Sequence, residues 1–76
     1  MPCISADGTL TVAARKVMTA MQSPTPLEGA ANASGLPLYQ IRSSVRELVQ
    51  AGLVEVLEDG RHVLTEAGRQ KLAAQS

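Results

Sequence analysis

Residues 31–54 read ANASGLPLYQIRSSVRELVQAGLV, and the architecture of the chain follows from this stretch. Small residues lead to a turn at residues 34–36, and aliphatic residues then recur every three or four positions from about Pro37 to Ala51. That period predicts a helix with one buried face, which Gly52 ends as a left-handed C-terminal residue. Because a shorter helix precedes the turn, the pair predicts a helix-turn-helix unit.

The shorter helix has its own start signal. Thr25, Pro26 and Glu28 have the spacing of a capping box, in which Thr25 caps the helix and Pro26 takes its first position. The helix is predicted to end near Ala33, and Gly35 is well placed as its left-handed stop.

An earlier helix is predicted from Thr9 or Thr11 to about Gln22. Its buried face consists of apolar residues at helical spacing: Leu10, Ala14, Val17, Met18 and Met21. Residues 1–8 show no periodicity and end in an Asp-Gly turn signal, so we expect a flexible N-terminal arm there.

Two short strands and a last helix are predicted to complete the chain. Residues 53–58 alternate partly between apolar and polar, and Asp59-Gly60 is a two-residue hairpin signal. Residues 61–64 are predicted to form the second strand of the hairpin. Thr65 then caps a helix over about 66–74. Its inward residues are predicted to be Ala67 and Leu72. The order is helix, short helix, helix, β-hairpin, helix, which makes residues 9–76 one α+β domain.

Composition excludes several kinds of site. Seven Lys and Arg balance seven Asp and Glu, so no overall basic character points to nucleic acid. One cysteine, Cys3, permits no internal disulfide, and one histidine, His62, permits no Cys/His zinc cluster. We therefore expect no metal and no cofactor. The chain has no nucleophile–base set and little volume for a pocket, so we expect no enzyme and no small-molecule sensor.

The apolar residues are mostly small and aliphatic, with no Phe or Trp. A core of this kind in 76 residues is expected to be marginally stable, so a homodimer or a partner regulatory protein would add to it. No apolar run approaches the ~20 residues that span a bilayer. Residues 1–20 also lack the pattern of a secretory signal, so we expect a cytoplasmic protein without a membrane partner.

The outward face of the longer helix carries the residues with functional chemistry. At 100° per residue, Tyr39, Arg42, Ser43 and Arg46 share about one third of the circumference, opposite the aliphatic stripe, and Gln40 lies at the edge. Neither arginine has an acidic residue three or four positions away, whereas a purely solvated helix would normally interleave Glu. Arg makes bidentate contacts to guanine and Tyr bonds phosphate, so this face predicts DNA binding.

Other interpretations of these residues stay open. Two surface arginines occur by chance on many helices. Tyr39 could fold back over the short helix, and Gln40 could be a solvent-exposed residue that only favours helix formation. His62 fits a half-exposed strand position better than a ligand or general base, because no titratable partner lies at a useful spacing. Cys3 is better interpreted as a cysteine without a chemical role than as a redox-active group.

The stretch 31–54 also resembles the core of bacterial winged helix-turn-helix transcriptional regulators, in which Ala and Gly-Leu frame the turn and Gly-Leu-Val leads into the wing. Within it, Gly35-Leu36-x-x-Tyr39-Gln40-x-Arg42 is similar to the short fimbrial phase-variation regulators. The later Leu64-Thr65-Glu66-Ala67-Gly68 resembles the strand-to-helix junction of MarR-type regulators. The resemblance implies a small winged helix-turn-helix domain that binds double-stranded DNA, with a recognition helix at about 37–51 in the major groove. The groove-facing positions that it implies are Tyr39, Gln40, Arg42, Ser43 and Arg46.

Three further basic residues complete the predicted DNA contacts: Arg15, Lys16 and Arg61. The segment 8–46 has four basic residues against the single acid Glu28, a local charge of +3. If about three or four of these groups meet phosphates, log K falls with log[salt] at a slope of about −3 to −4. Acids gather instead around the hairpin turn, so the predicted wing contributes little beyond Arg61. These acids are Glu55, Glu58 and Asp59.

The alternative function is a winged-helix module that binds protein and never DNA. The zero net charge, the acidic hairpin and the pair Leu38-Tyr39 favour it. The two functions differ in what they require of Arg42 and Arg46, which DNA needs and an apolar protein contact does not.

Overall fold

The computed structural model describes residues 3–75, and Met1, Pro2 and Ser76 lie outside the described part. Four helices and two strands follow one another in the predicted order. Their bounds are α1 Val12–Ala20, α2 Leu27–Ser34, α3 Leu38–Gln50, β1 Val54–Val56, β2 His62–Leu64 and α4 Glu66–Ala74. The strands pair antiparallel, with Val54 opposite Leu64 and Val56 opposite His62. This small α+β arrangement is that of a winged helix, as predicted.

The core is built from aliphatic and thioether side chains at the interface of the helices. The whole predicted face of α1 is buried, and Met18 and Met21 are among the largest fully buried side chains. From α3, Ile41 and Leu48 reach the same cluster. The helical period therefore identified the inner faces correctly, since a stripe at this spacing can be covered from one side only.

The predicted cap of α2 is wrong. The Thr25 hydroxyl donates to the carbonyl oxygens of Ala20 and Ser23, and no side chain caps α2, which begins after Pro26. The reason is a backbone bridge: Thr25 and His62 exchange two N–H···O bonds of 2.9 Å. This pairing places Thr25 beside β2, one residue ahead of the N-cap position, which Pro26 takes because the helix begins at Leu27.

The hairpin turn has three residues, and not the two that Asp59-Gly60 predicts. The Leu57 N–H donates to the Arg61 carbonyl, and the Gly60 N–H donates to the Leu57 carbonyl. Gly60 has φ of +89°, the left-handed conformation that closes a three-residue loop with a bulge. The strands still run where alternation placed them, because the bulge absorbs the extra residue.

The N-terminal segment 3–10 is packed against the domain, which corrects the expectation of a flexible arm for residues 3–8. Cys3 is fully buried and belongs to the core cluster. The Glu47 carboxylate oxygen Oε2 accepts the backbone N–H groups of Cys3 and Ile4, at 2.9 and 3.2 Å. Local patterning could not show this docking, because the anchoring residue lies more than forty positions away.

The cap of α4 is confirmed, and its inward residue is corrected. The Thr65 hydroxyl accepts from the Gly68 N–H at 3.0 Å. Leu72 is buried as predicted, but Ala67 is exposed and Gly68 is buried in its place. The helix needs a glycine there because a Cβ on Gly68 would lie 2.1 Å from the Leu53 carbonyl oxygen.

Candidate nucleic-acid interface

Helix α3 presents a polar face to the surface along its thirteen residues. Ile41, Ser44, Val45 and Leu48 face inward, so the side chains opposite them are directed outward. Tyr39 lies on the outward side and is 75% exposed. The interpretation in which Tyr39 folds back over α2 is therefore excluded.

Arg42 and Arg46 lie one turn apart on α3, and both are exposed. Within residues 3–75 the one ion pair joins two other residues, so neither of these guanidinium groups has a carboxylate within ion-pair distance. Two like charges at this spacing destabilise an isolated helix by a few tenths of a kcal/mol. The fold therefore retains a small local cost, which an anionic ligand would relieve.

The other predicted residues of α3 divide between surface and edge. Ser43 is exposed beside Arg42, whereas Gln40 is half-buried. Sequence reasoning missed the buried Ser44, whose carbonyl accepts from the Cys3 thiol at 3.7 Å. The outward face thus consists of Tyr39, Arg42, Ser43 and Arg46.

Arg61 at the hairpin turn is engaged within the turn. Its Nε donates to Asp59 Oδ2 at 2.6 Å, and its backbone N–H donates to Asp59 Oδ1 at 3.1 Å. These hydrogen bonds from Arg61, the backbone one first, hold the pKa of Asp59 below its usual range. Arg61 therefore has its local charge balanced, unlike the arginines of α3.

Arg15 and Lys16 lie on α1 and do not extend the α3 face. The Arg15 side chain is half-buried, and its Nη1 donates to the Leu10 carbonyl at 3.2 Å. Both residues line a depression whose other walls come from α2 and α4, with no residue of α3 among its lining. The four basic residues of segment 8–46 are therefore divided between two surfaces.

A groove between α3 and the hairpin, of about 470 Å³, adjoins the arginines. We name it the α3–hairpin groove. It is lined by Leu27, Arg42, Val45, Arg46, Val49, Gln50, Val56 and His62. Local patterning predicts a wing but not this groove, because its walls come from α2, α3 and the hairpin, which are separate along the chain.

Two features of the groove stand out chemically. No carboxylate is among the lining residues, and Val56 is 54% exposed despite its apolar side chain. His62 is buried, and its Nδ1 is enclosed without a hydrogen-bond partner within the described chain.

Comparison with known proteins gives the fold and no family. No family model matches the sequence, and no curated protein matches it. The chain is similar to part of a crystal structure of an O-methyltransferase (NcsB1) from neocarzinostatin biosynthesis, in complex with S-adenosyl-L-homocysteine. The TM-score is 0.64 and the identity 27%, with 76% of this chain and 20% of that chain covered. This chain thus spans about a fifth of the length of that enzyme.

Residues 3–75 contain no group of three or more His, Cys, Asp or Glu side chains that could hold a metal ion. Across the same described part, no helix is long and apolar enough to cross a membrane.

Proposed function

We propose that this domain binds double-stranded DNA by inserting α3 into the major groove, and that it acts as a small transcriptional regulator of the winged-helix class. The observation that carries the proposal is the uncompensated charge of Arg42 and Arg46 on the exposed face of α3. The resemblance of residues 35–42 to fimbrial phase-variation regulators and of residues 64–68 to MarR-type regulators supports the same function.

The chemistry of the face suits a duplex. A guanidinium group donates two parallel hydrogen bonds to O6 and N7 of guanine, which reads sequence, or neutralises a phosphate, which adds affinity. Tyr39 and Ser43 carry hydroxyl groups that bond phosphate oxygens at the edge of the groove. Arg42 and Arg46 are the base-reading candidates, because a guanidinium group can bond both acceptors of guanine at once.

The hairpin contributes little to this binding. Glu55 and Glu58 are exposed on it and repel phosphate, and the charge of Arg61 is balanced by Asp59. We expect α3 to supply most of the contact with DNA. Two copies on a two-fold site would raise the affinity of so small a domain.

The test is a mobility-shift series with random duplex pools at low and high salt. Arg42→Ala and Arg46→Ala should each weaken binding about tenfold or more, because each lost base or phosphate contact costs about 1–3 kcal/mol. Arg69→Ala is the matched control, since Arg69 is an exposed arginine on α4 and lies outside the α3–hairpin groove. Equal binding by all three variants, or no shift with any duplex, would contradict the proposal.

A second candidate is a protein-interaction module. It is favoured by the similarity to a fifth of an O-methyltransferase, whose described ligand is S-adenosyl-L-homocysteine and not a nucleic acid. The exposed phenol of Tyr39 would then be the anchor of a protein contact. In a pull-down with an identified partner, Tyr39→Ala would abolish capture while the double change Arg42→Ala with Arg46→Ala would leave it intact. On the DNA proposal, both variants lose affinity for the duplex.

A further inference from the structure

The α3–hairpin groove combines positive charge with apolar surface. Arg42 and Arg46 stand on its helix wall, and Val56 and the imidazole of His62 stand on its hairpin wall. Its lining includes the guanidinium groups of both arginines, which donate hydrogen bonds to anions, and no carboxylate that could compete for them. The groove therefore fits a carboxylate that arrives together with an aliphatic group.

The turn of the same hairpin has the complementary chemistry. Glu58 is exposed at the turn, and its carboxylate has no partner among residues 3–75, whereas Asp59 next to it is bound by Arg61. Leu57, which precedes Glu58, is half-buried and leaves part of its side chain at the surface. The same molecule therefore carries both an acid beside an aliphatic residue and a groove whose charge and apolar surface complement that pair.

We propose that a second copy of this chain is the occupant of the α3–hairpin groove. Two copies meet about a two-fold axis, and the hairpin turn of each lies in the groove of the other. Glu58 of the partner subunit pairs with Arg46, and the partner's Leu57 packs against Val56. Such a contact is isologous, so both pairs form at once and the assembly closes as a dimer.

Charge and size set the character of this dimer. Each copy brings two unpaired arginines and one unpaired glutamate to the contact, so the attraction is electrostatic and is screened by salt. A turn in a shallow groove buries less than the roughly 1,200 Å² of a stable interface, so we expect a weak, transient dimer. The dimer covers the arginines that the proposed function assigns to DNA. This consequence rests on the proposed function, in which the dimer is the form of the protein without bound DNA.

The first measurement is sedimentation equilibrium of the unmodified protein without DNA. At about 0.01 M ionic strength, where the Debye length is ~30 Å, we expect a monomer–dimer equilibrium. At about 1 M, where it is ~3 Å, the dissociation constant should rise at least tenfold. A monomer at every concentration, or a dimer indifferent to salt, would overturn the inference.

The second measurement is a charge exchange between the two sides. Arg46→Glu alone and Glu58→Arg alone should each be monomeric, because each places like charges at both contacts. An equimolar mixture of the two variants should dimerise again, since one contact then has its charges exchanged and the other is unmodified. Arg69→Glu, the control on α4, should dimerise like the unmodified protein.

The exchanged residues are exposed, so circular dichroism should show folded variants. A mixture that stays monomeric, or single variants that dimerise as well as the control, would show that the contact is not this one. Because no DNA is present, the result is independent of whether the duplex-binding experiment succeeds.

Discussion

Gly68 is the point where α4 approaches the backbone that follows α3. A Cβ there would lie 2.1 Å from the Leu53 carbonyl oxygen and 3.0 Å from its carbonyl carbon, which are backbone atoms that cannot rotate away. Ala67, the neighbour that hydrophobic patterning selected, is exposed. Sequence reasoning favoured alanine because glycine has no side chain to bury, yet at a close backbone approach that lack is the property required.

We expect Gly68→Ala to lower the free energy of unfolding by about 3 kcal/mol or more, since α4 must shift away from Leu53. Gly29→Ala is the matched control in α2. A Cβ on Gly29 would meet side-chain atoms only, with Thr25 Cγ2 nearest at 3.2 Å, so its effect should stay within about 1 kcal/mol. Urea unfolding of both variants provides the measurement, and equal midpoints would refute the assigned role of Gly68.

Cys3 is held in the core by contacts with α3. Burial raises the pKa of the Cys3 thiol and the nearby charge of Glu47 adds to the increase, whereas hydrogen bonding by the Ser44 side chain opposes it in part. We expect iodoacetamide to react with the folded protein far more slowly than with the urea-unfolded chain, because the thiolate is scarce and enclosed. Glu47→Ala should speed the reaction in the folded state, since it releases the backbone of residues 3 and 4.

The raised pKa also has a consequence for stability. The folded thiol holds its proton more tightly than the unfolded one, whose pKa is near 9.0, so the Cys3 contribution is present below about pH 9. It declines as the pH rises from that value toward the folded pKa. A Cys3→Ser variant should lack this part of the alkaline decline, and an identical decline in both proteins would contradict it.

Among the elements, the helices were the most predictable and the connections between them the least. The three-to-four-residue period placed α1, α3 and α4 to within one to three residues at each end, because one face of each is covered by the core. The start of α2 was predicted one residue early and its cap wrongly, because the pairing of Thr25 with His62 is a long-range contact. Such contacts leave no local pattern, and the docking of Cys3 on Glu47 escaped prediction for the same reason.

The same distinction applies to the candidate site. The outward face of α3 follows from its helical period, so the surface positions of Tyr39, Arg42 and Arg46 were predictable from the sequence. The ion pair of Arg61 with Asp59 and the separate position of Arg15 depend on turn geometry and tertiary packing. Net charge along a segment therefore predicted a larger basic surface than the one that forms.

The side-chain cap of α4 provides a direct test of how one residue stabilises a helix. The Thr65 hydroxyl accepts from Gly68 N–H at 3.0 Å and donates to the Gly52 carbonyl at 2.7 Å, so it joins α4 to the end of α3. Thr65→Ala should lower the free energy of unfolding by about 1–2 kcal/mol through loss of the cap. Thr19→Ala, at an exposed position of α1, should change it by less than about 0.5 kcal/mol. Thermal unfolding of the two variants side by side measures the difference.

For the whole molecule, the distribution of charge sets the salt dependence of the proposed DNA binding. Arg15 and Lys16 line a different depression from Arg42 and Arg46. On that proposal α3 brings only the second pair to the duplex, so at most about two phosphates are neutralised per chain, and fewer where an arginine reads a base. The slope of log K against log[salt] should then be no steeper than about −2, shallower than the −3 to −4 that all four residues predict.

Paired substitutions separate these two slopes. Arg15→Gln with Lys16→Gln should leave the slope unchanged, whereas Arg42→Gln with Arg46→Gln should bring it toward zero, as fluorescence anisotropy titrations over a range of salt would show. A slope that flattens with the α1 pair would mean that both surfaces contact DNA.

The two hydrogen bonds between Thr25 and His62 couple parts of the molecule that are distant along the chain. They make β2 the middle of three extended segments, with β1 on one side and Thr25 on the other. The residue that immediately precedes Pro26 and α2 is therefore bonded directly to the hairpin. We expect a ligand that tilts the hairpin to displace Thr25 and the entrance of the helix-turn-helix with it.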